Sequence, residues 1–477
     1  MKKFIDSLEL RWSDLFLLIG FIPFAVFLIF GQLFMQYQDP SQVALPLWAM
    51  IVCFIVMVGA WGTYLYLEIV KNKTPFNIII AEIISGLLIL GIITIFVQPQ
   101  YSGYEVIART AYDTVDPVTH VEPGTLFYVS EYISWTHKIM FAFQLTGIAL
   151  FIFIGLFIFP KRLRNIKFIE FLGYAIFALL AVLIVYSIAT EYNNYIGFFK
   201  YIFNKDRSVE LENFAVKSFI LHKNAFGMIY MIAIIFCFIN QSIRPRVWYY
   251  PLAGVSFVLM IFTECKTGIL LSAVVIFLWL IYRLVVTYKE HRQRNLVTFI
   301  VLGALIVFGL IFVGIPYLTK GKFLGKIYDL IKSIVGEGRT VATRTYIWEN
   351  VYTLIGNGWW VLGRGFGVIN TLLLQINAKT HNDYVFPTHS SWLNMLSQGG
   401  LLQLLVYIAF IIYCGYVAYK AYKKSPNLTF AIFLGALSFF IYSFIETIHY
   451  LLYAFMFPIF VIYFSENKKE EAKNELN

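Results

Sequence analysis

A polar, glycine-rich stretch lies between two long apolar runs. It begins at Leu318, carries Arg339, Arg344, Arg364 and His389, and closes on Gly400. Guanidinium forks bind phosphate or pyrophosphate through paired hydrogen bonds, and a lysine adds a compact charge. Histidine titrates near neutral pH, which suits a general base or a group that orients an attacking hydroxyl. The combination is that of an anion site with a proton acceptor beside it. The competing account pairs Arg339 and Arg344 with Glu337 and Glu349 and gives His389 a packing role. More polar groups stand where apolar runs end: Lys223 and Asn224, then Glu264 and Lys266 in the turn TECKTG, then His449. Ionisable groups at a membrane boundary are costly enough to count as functional candidates, with snorkelling or ion pairing as the alternative. Trp348, Trp359, Trp360 and Trp392 cluster in or beside the same stretch, where indole faces suit sugar rings and interfacial anchoring equally well.

The elements that must position these groups are set by composition. Of the 477 residues 60% are hydrophobic, 19% aromatic and only 13% charged, far from the roughly one-quarter charged residues of a soluble domain. The expected fold is an all-α polytopic membrane protein of about twelve (10–12) spans, each needing about 20 apolar residues. Residues 1–317 are expected to form spans one to nine, with outer connections at about 98–134 and 190–217. Residues 318–390 form a large extracytoplasmic loop, 391–465 three more spans, and 466–477 a cytoplasmic tail. Connections that long are uncommon unless functional or disordered, and their aromatic content argues for packing. Within the large loop, apolar spacing predicts an interfacial helix from Phe323 to Val335 and a second helix over Val341–Ile355, broken by Gly356. Glu82, inside the third apolar run, reads as a buried, hydrogen-bonded acid or as the mark of an ion path.

With the N-terminus in the cytoplasm, 21 of the 37 lysines and arginines fall in short cytoplasmic connections, as the positive-inside rule asks. Both termini are then cytoplasmic and the candidate site faces outward. The net charge of +10 is thereby explained by topology, and no nucleic-acid partner is expected. The lysines before the first apolar run resemble a signal peptide without a small-residue cleavage site, so that run is taken as an uncleaved span. The four cysteines show neither disulfide nor zinc spacing. Gly363-Arg364-Gly365-Phe366-Gly367 lacks the strand context of a nucleotide-binding loop. No cofactor and no metal are expected.

The motifs resemble those of the O-antigen ligase and surface polysaccharide polymerase superfamily. His389 and Gly400 are separated as in its His-x10-Gly element, within HSSWLNMLSQGG, and Arg344 to Trp348 is similar to its Arg-x3-Leu/Trp element. VLGRGFGVIN resembles its glycine-rich segment, LHKNAFG its asparagine-containing span start, and TECKTG its Ser-Arg-Thr turn with Lys266 in the arginine's place. The resemblance implies a membrane-embedded, metal-independent, inverting glycosyltransferase of the bacterial plasma membrane. Its implied donor is an undecaprenyl-pyrophosphate-linked oligosaccharide, and its partners are the lipid bilayer and other polysaccharide assembly proteins. His389 and Arg344 would be catalytic, and Arg339, Arg344, Lys266, Lys223 and Arg364 would bind pyrophosphate. Asn224, Glu264, Trp348, Gly400 and His449 would support them. A polymerase is the first expectation, a ligase of the same superfamily the second, and a transporter or flippase the alternative of another class. The last wants polar groups at midplane depth and an internal repeat, whereas this chain keeps its polar groups at the outer ends.

Overall fold

The computed structural model describes residues 11–32, 46–97, 104–108, 125–129, 135–163, 165–204, 215–218, 223–291, 348, 351–352, 354–356, 359–369, 390–444 and 449–465. Arg339, Arg344 and His389 lie outside them, as do the expected span from Leu296 and the expected interfacial helix. The apolar runs are helices: α1 (Trp12–Gln32), α2 (Leu47–Leu65), α3 (Ile78–Val97), α4 (Trp135–Leu163) and α5 (Lys167–Thr190). They continue with α6 (Tyr192–Asn204), α7 (Lys223–Ile243), α8 (Tyr249–Ile261), α9 (Lys266–His291), α10 (Ser391–Lys424), α11 (Pro426–Tyr442) and α12 (His449–Phe464). Among the described residues seven helices are long and apolar enough to cross a membrane, and four apolar helices are shorter. A helix satisfies its own backbone polar groups, which is why continuous apolar sequence adopts it in a bilayer.

One departure from an all-α chain is a two-stranded antiparallel ribbon in the connection after α3. Strand β1 (Tyr104–Ala108) pairs with β2 (Thr125–Val129), with Val106 opposite Phe127. Both strands are rich in aromatic and β-branched residues, which favour a pleated backbone. The connection after α5 likewise contains α6, whose Tyr195 and Phe198 pack on Phe262. A second correction concerns Glu82. It is exposed, not buried, on α3, the candidate span with the smallest buried share, 11%. Its place in the second turn leaves the carboxylate within snorkelling reach of a membrane surface.

The chain divides into two compact units. The first comprises residues 1–165, 339–424 and 439–477, and the second residues 166–338 and 425–438. In the first, an ionic cluster ties the start of α1 to the ends of α2 and α4. Asp14 caps its helix by accepting the Arg11 backbone N–H at 2.8 Å, and it binds the Arg162 guanidinium. Residues Tyr66–Lys71 extend α2 as a π-helical turn, and within it Glu68 is fully buried. Its carboxylate accepts hydrogen bonds from Ser13 Oγ (2.5 Å), Asn72 Nδ2 (3.2 Å) and Thr74 Oγ1 (3.1 Å), with Arg11 Nη1 at 3.6 Å. A buried acid is tolerated when donors and a countercharge surround it in this way.

The second unit has a similar junction. Glu170 of α5 is buried, accepts the Tyr174 hydroxyl at 2.9 Å and faces Arg244 Nε at 3.7 Å. Tyr174 in turn meets the Tyr249 hydroxyl at 3.2 Å, joining the start of α8 to α5. Gly173 lets the buried Asn240 of α7 approach α5; a Cβ there would lie 2.4 Å from the amide. Neither acid cluster was singled out from sequence, because Glu68 sits inside an apolar run and its partners come from segments far apart in the chain.

Candidate functional site

In the second unit, the turn TECKTG is folded onto the first turns of α7. Thr263 Oγ1 accepts the Cys265 N–H at 3.3 Å and donates to the Met260 carbonyl at 2.7 Å. This local pairing turns the chain between α8 and α9. Glu264 is buried and takes a left-handed conformation, φ 51°, a geometry uncommon for residues other than glycine and often found at functional sites. Gly227 makes the close approach possible, since a Cβ there would lie 2.3 Å from that of Cys265. Cys265 Sγ reaches the Asn224 carbonyl at 3.8 Å. Asn224 and Glu264 are therefore brought to one place, at the start of α7, where Lys223 is the first helical residue. Lys266 is the first residue of α9. The Val216 N–H donates to the Phe262 carbonyl at 2.9 Å, fastening the incoming connection to the same turn.

In the first unit, the segment that contains Trp348 is helical at its described positions, with Val351, Leu354 and Ile355 buried. It stops at Gly356, φ 62°, whose N–H returns to the Tyr352 carbonyl at 3.3 Å. A glycine in this conformation is the usual device for ending a helix. Beyond it, Trp359–Gly367 forms a loop that locks into a break in α10. At Gly400 the backbone leaves helical geometry (φ 63°, ψ −163°). Such a break frees carbonyls before it and N–H groups after it, and buried backbone groups need partners. The loop supplies them. Arg364 and Gly365 N–H donate to the Ser397 and Gln398 carbonyls at 2.7 and 2.8 Å. Leu401 and Leu402 N–H donate to the Trp360 and Val361 carbonyls at 2.8 and 3.2 Å.

Glycine is required on both sides of this clasp. A Cβ on Gly400 would lie 2.3 Å from the Val361 backbone, and one on Gly363, φ 71°, would lie 2.5 Å from the Gln398 backbone. The loop also closes against the end of α3 and the start of α4. Gly365 faces the Ile95 backbone, Gly367 faces the Phe141 ring, and Phe366 meets Phe141 edge-on at 6.4 Å. Phe141 and Arg162 are separated along α4 by about 30 Å at 1.5 Å per residue, so clasp and ionic cluster lie at opposite ends of the first unit.

Arg364 is buried, with 4% of its surface exposed. Its Nε donates to the Leu354 carbonyl at 3.0 Å, and its guanidinium lies 5.2 Å from the Trp359 ring centroid. The short helix after His389 is anchored separately: Ser391 N–H donates to the Ser443 carbonyl at 2.8 Å and Trp392 Nε1 to Ser443 Oγ at 3.1 Å. His449 is the first residue of α12. Sequence reasoning named the glycines but missed that loop and helix break satisfy one another. The signal was two glycine clusters, each flanked by aliphatic residues.

Residues 251–408 match the family model described as O-antigen ligase. That span of the chain is similar to the O-antigen ligase family. The matched span begins in α8 and includes the Glu264–Lys266 turn, Arg344, Trp348, the Arg364 loop, His389 and Gly400, while Lys223, Asn224 and His449 lie outside it. Comparison with curated proteins and with solved structures gives no match. The chain is thus a multi-pass membrane protein whose residues 251–408 are similar to the O-antigen ligase family.

Proposed function

We propose that the protein is a polymerase of a cell-surface polysaccharide. It transfers glycan from an undecaprenyl-pyrophosphate-linked donor to a lipid-linked acceptor glycan on the outer face of the bacterial plasma membrane, with both termini in the cytoplasm. The observation that carries this reading is the O-antigen ligase match over a segment that holds Arg339, Arg344, Lys266 and His389. In the proposed step the acceptor hydroxyl oxygen bonds to the anomeric carbon as that carbon's bond to the pyrophosphate oxygen breaks. The hydroxyl proton passes to the His389 imidazole. The electron pair leaves with the pyrophosphate, whose growing charge Arg339, Arg344, Lys266 and Lys223 stabilise, a part that metal ions take in other transferases.

Asn224, Glu264, Trp348 and His449 support that set. Gly400 serves it through the clasp, and Arg364, the fifth expected phosphate ligand, donates its Nε–H to the Leu354 carbonyl. Placement of the ionic cluster and the clasp about one bilayer core apart, roughly 30 Å, favours a loop at one membrane face and basic anchors at the other. In a deletion strain, profiling of lipid-linked glycans distinguishes the proposal from its alternatives. Loss of a polymerase leaves single repeat units on the carrier, loss of a ligase leaves long polymer there, and loss of a flippase leaves repeat units on the inner leaflet. Full restoration of polymer by both Arg344→Ala and His389→Ala proteins would remove the site assignment.

A further inference from the structure

Two helical segments, one within residues 348–355 and one that starts at Ser391, each end in a carbonyl that the same residue holds. The first is helical at its described positions, Trp348, Val351, Tyr352, Leu354 and Ile355, and ends before Gly356. The segment that follows His389 starts at Ser391 and ends at the Gly400 break. The last carbonyls of a helix have no partner within it. Arg364 meets one from each: its side-chain Nε donates to the Leu354 carbonyl at 3.0 Å, and its backbone N–H donates to the Ser397 carbonyl at 2.7 Å. Its guanidinium plane is further set by Trp359, and Gly363 N–H to the Trp359 carbonyl, 2.7 Å, fixes the turn in which both residues sit.

We infer that Arg364 is a positioning residue, a two-ended cap that fixes the helical segment ending at Ile355, downstream of Arg344 in sequence, relative to the segment starting at Ser391, two residues after His389. The inference rests on the glycan-transfer reading for its kinetic consequence, though not for its geometry. Burial to 4% exposure and an Nε–H held by a protein carbonyl are what a positioning residue shows. Lysine cannot take it over. A lysine has one terminal charge and no planar Nε–H partway along the chain, so it can neither cap Leu354 from the same place nor stack on Trp359. Misplacement of a reacting group by about 1 Å costs on the order of 10²-fold in rate without altering distant binding contacts.

The test compares Arg364→Lys and Arg364→Gln in the purified full-length protein, with an undecaprenyl-pyrophosphate-linked oligosaccharide as donor. Both variants are expected to lower kcat by roughly 10²-fold with donor KM within about twofold of the parent. A rise in donor KM at unchanged kcat, or rescue by lysine, overturns the inference. Trp359→Leu keeps the arginine and the fold while removing the stack, and is expected to lower kcat less, in the same direction; an unchanged kcat also counts against it. Spin labels at Tyr352→Cys and Leu396→Cys, in a background without the native cysteines, give a readout independent of catalysis. Arg364→Gln is expected to broaden a narrow distance distribution, and an unchanged distribution overturns the inference even if transfer is lost. Absence of transfer by the parent protein defeats the functional reading and leaves the distance measurement standing.

Discussion

The two ends of the first unit are held by opposite means. At one, Glu68, Asp14, Arg11 and Arg162 join α1, α2 and α4 through charged side chains. At the other, the loop around Arg364 joins the broken α10 through main-chain hydrogen bonds, and the side chains that matter most are the ones missing at Gly363 and Gly400. An ionic junction adapts, because each long side chain can shift and several donors share one carboxylate. A backbone clasp does not adapt, since its spacing is set by atoms that cannot rotate away. The rigid end is also the one that holds VLGRGFGVIN and Gly400, both inside the span similar to the O-antigen ligase family, where catalysis asks for fixed geometry.

Gly400→Ala should break that contrast most severely. It places a Cβ against the Val361 backbone at a left-handed φ, and glycan transfer by the purified variant should fall by more than about 10²-fold, with a lowered Tm in detergent. Glu68→Ala comes next. Loss of the carboxylate takes the acceptor from Ser13, Asn72 and Thr74, at about 1–3 kcal/mol for each donor left buried, read as a drop in Tm, while transfer by the protein that remains folded should hold. Glu68→Gln should cost less, because the amide oxygen still accepts from Ser13, and equality of the two variants would argue against charge at this junction. Gly173→Ala crowds the Asn240 amide and should cost about 1–3 kcal/mol as overpacking, lowering Tm without changing kcat. Smallest is Gly254→Ala, where an added Cβ meets nothing within 4 Å. Helix propensity favours alanine by about 1 kcal/mol, so Tm should stay level or rise.

How far the sequence disclosed this molecule follows from the kind of interaction involved. Helices were legible because apolar length alone dictates them: the runs within residues 1–317 include the helices Trp135–Leu163 and Lys167–Thr190. The ribbon of Tyr104–Ala108 with Thr125–Val129 was not, since it depends on pairing across an intervening loop. Glu82 was misjudged as buried because hydropathy carries no information about which face of a uniformly apolar helix meets protein. Around the candidate site, Gly363, Gly400 and the TECKTG turn stood out by residue type. What they do became visible only when the Ser397 and Gln398 carbonyls were traced to their donors. Arg364 shows the limit most plainly, for nothing in an arginine among glycines tells that its Nε caps the Leu354 carbonyl.

Transfer of glycan by the purified protein, from an undecaprenyl-pyrophosphate-linked donor and without a transmembrane gradient, tests the central claim most directly. The account predicts elongated lipid-linked product that disappears with either Arg344→Ala or His389→Ala. Product formation unaffected by both substitutions, or no transfer at all by a folded protein that moves the lipid-linked glycan between leaflets, would contradict it.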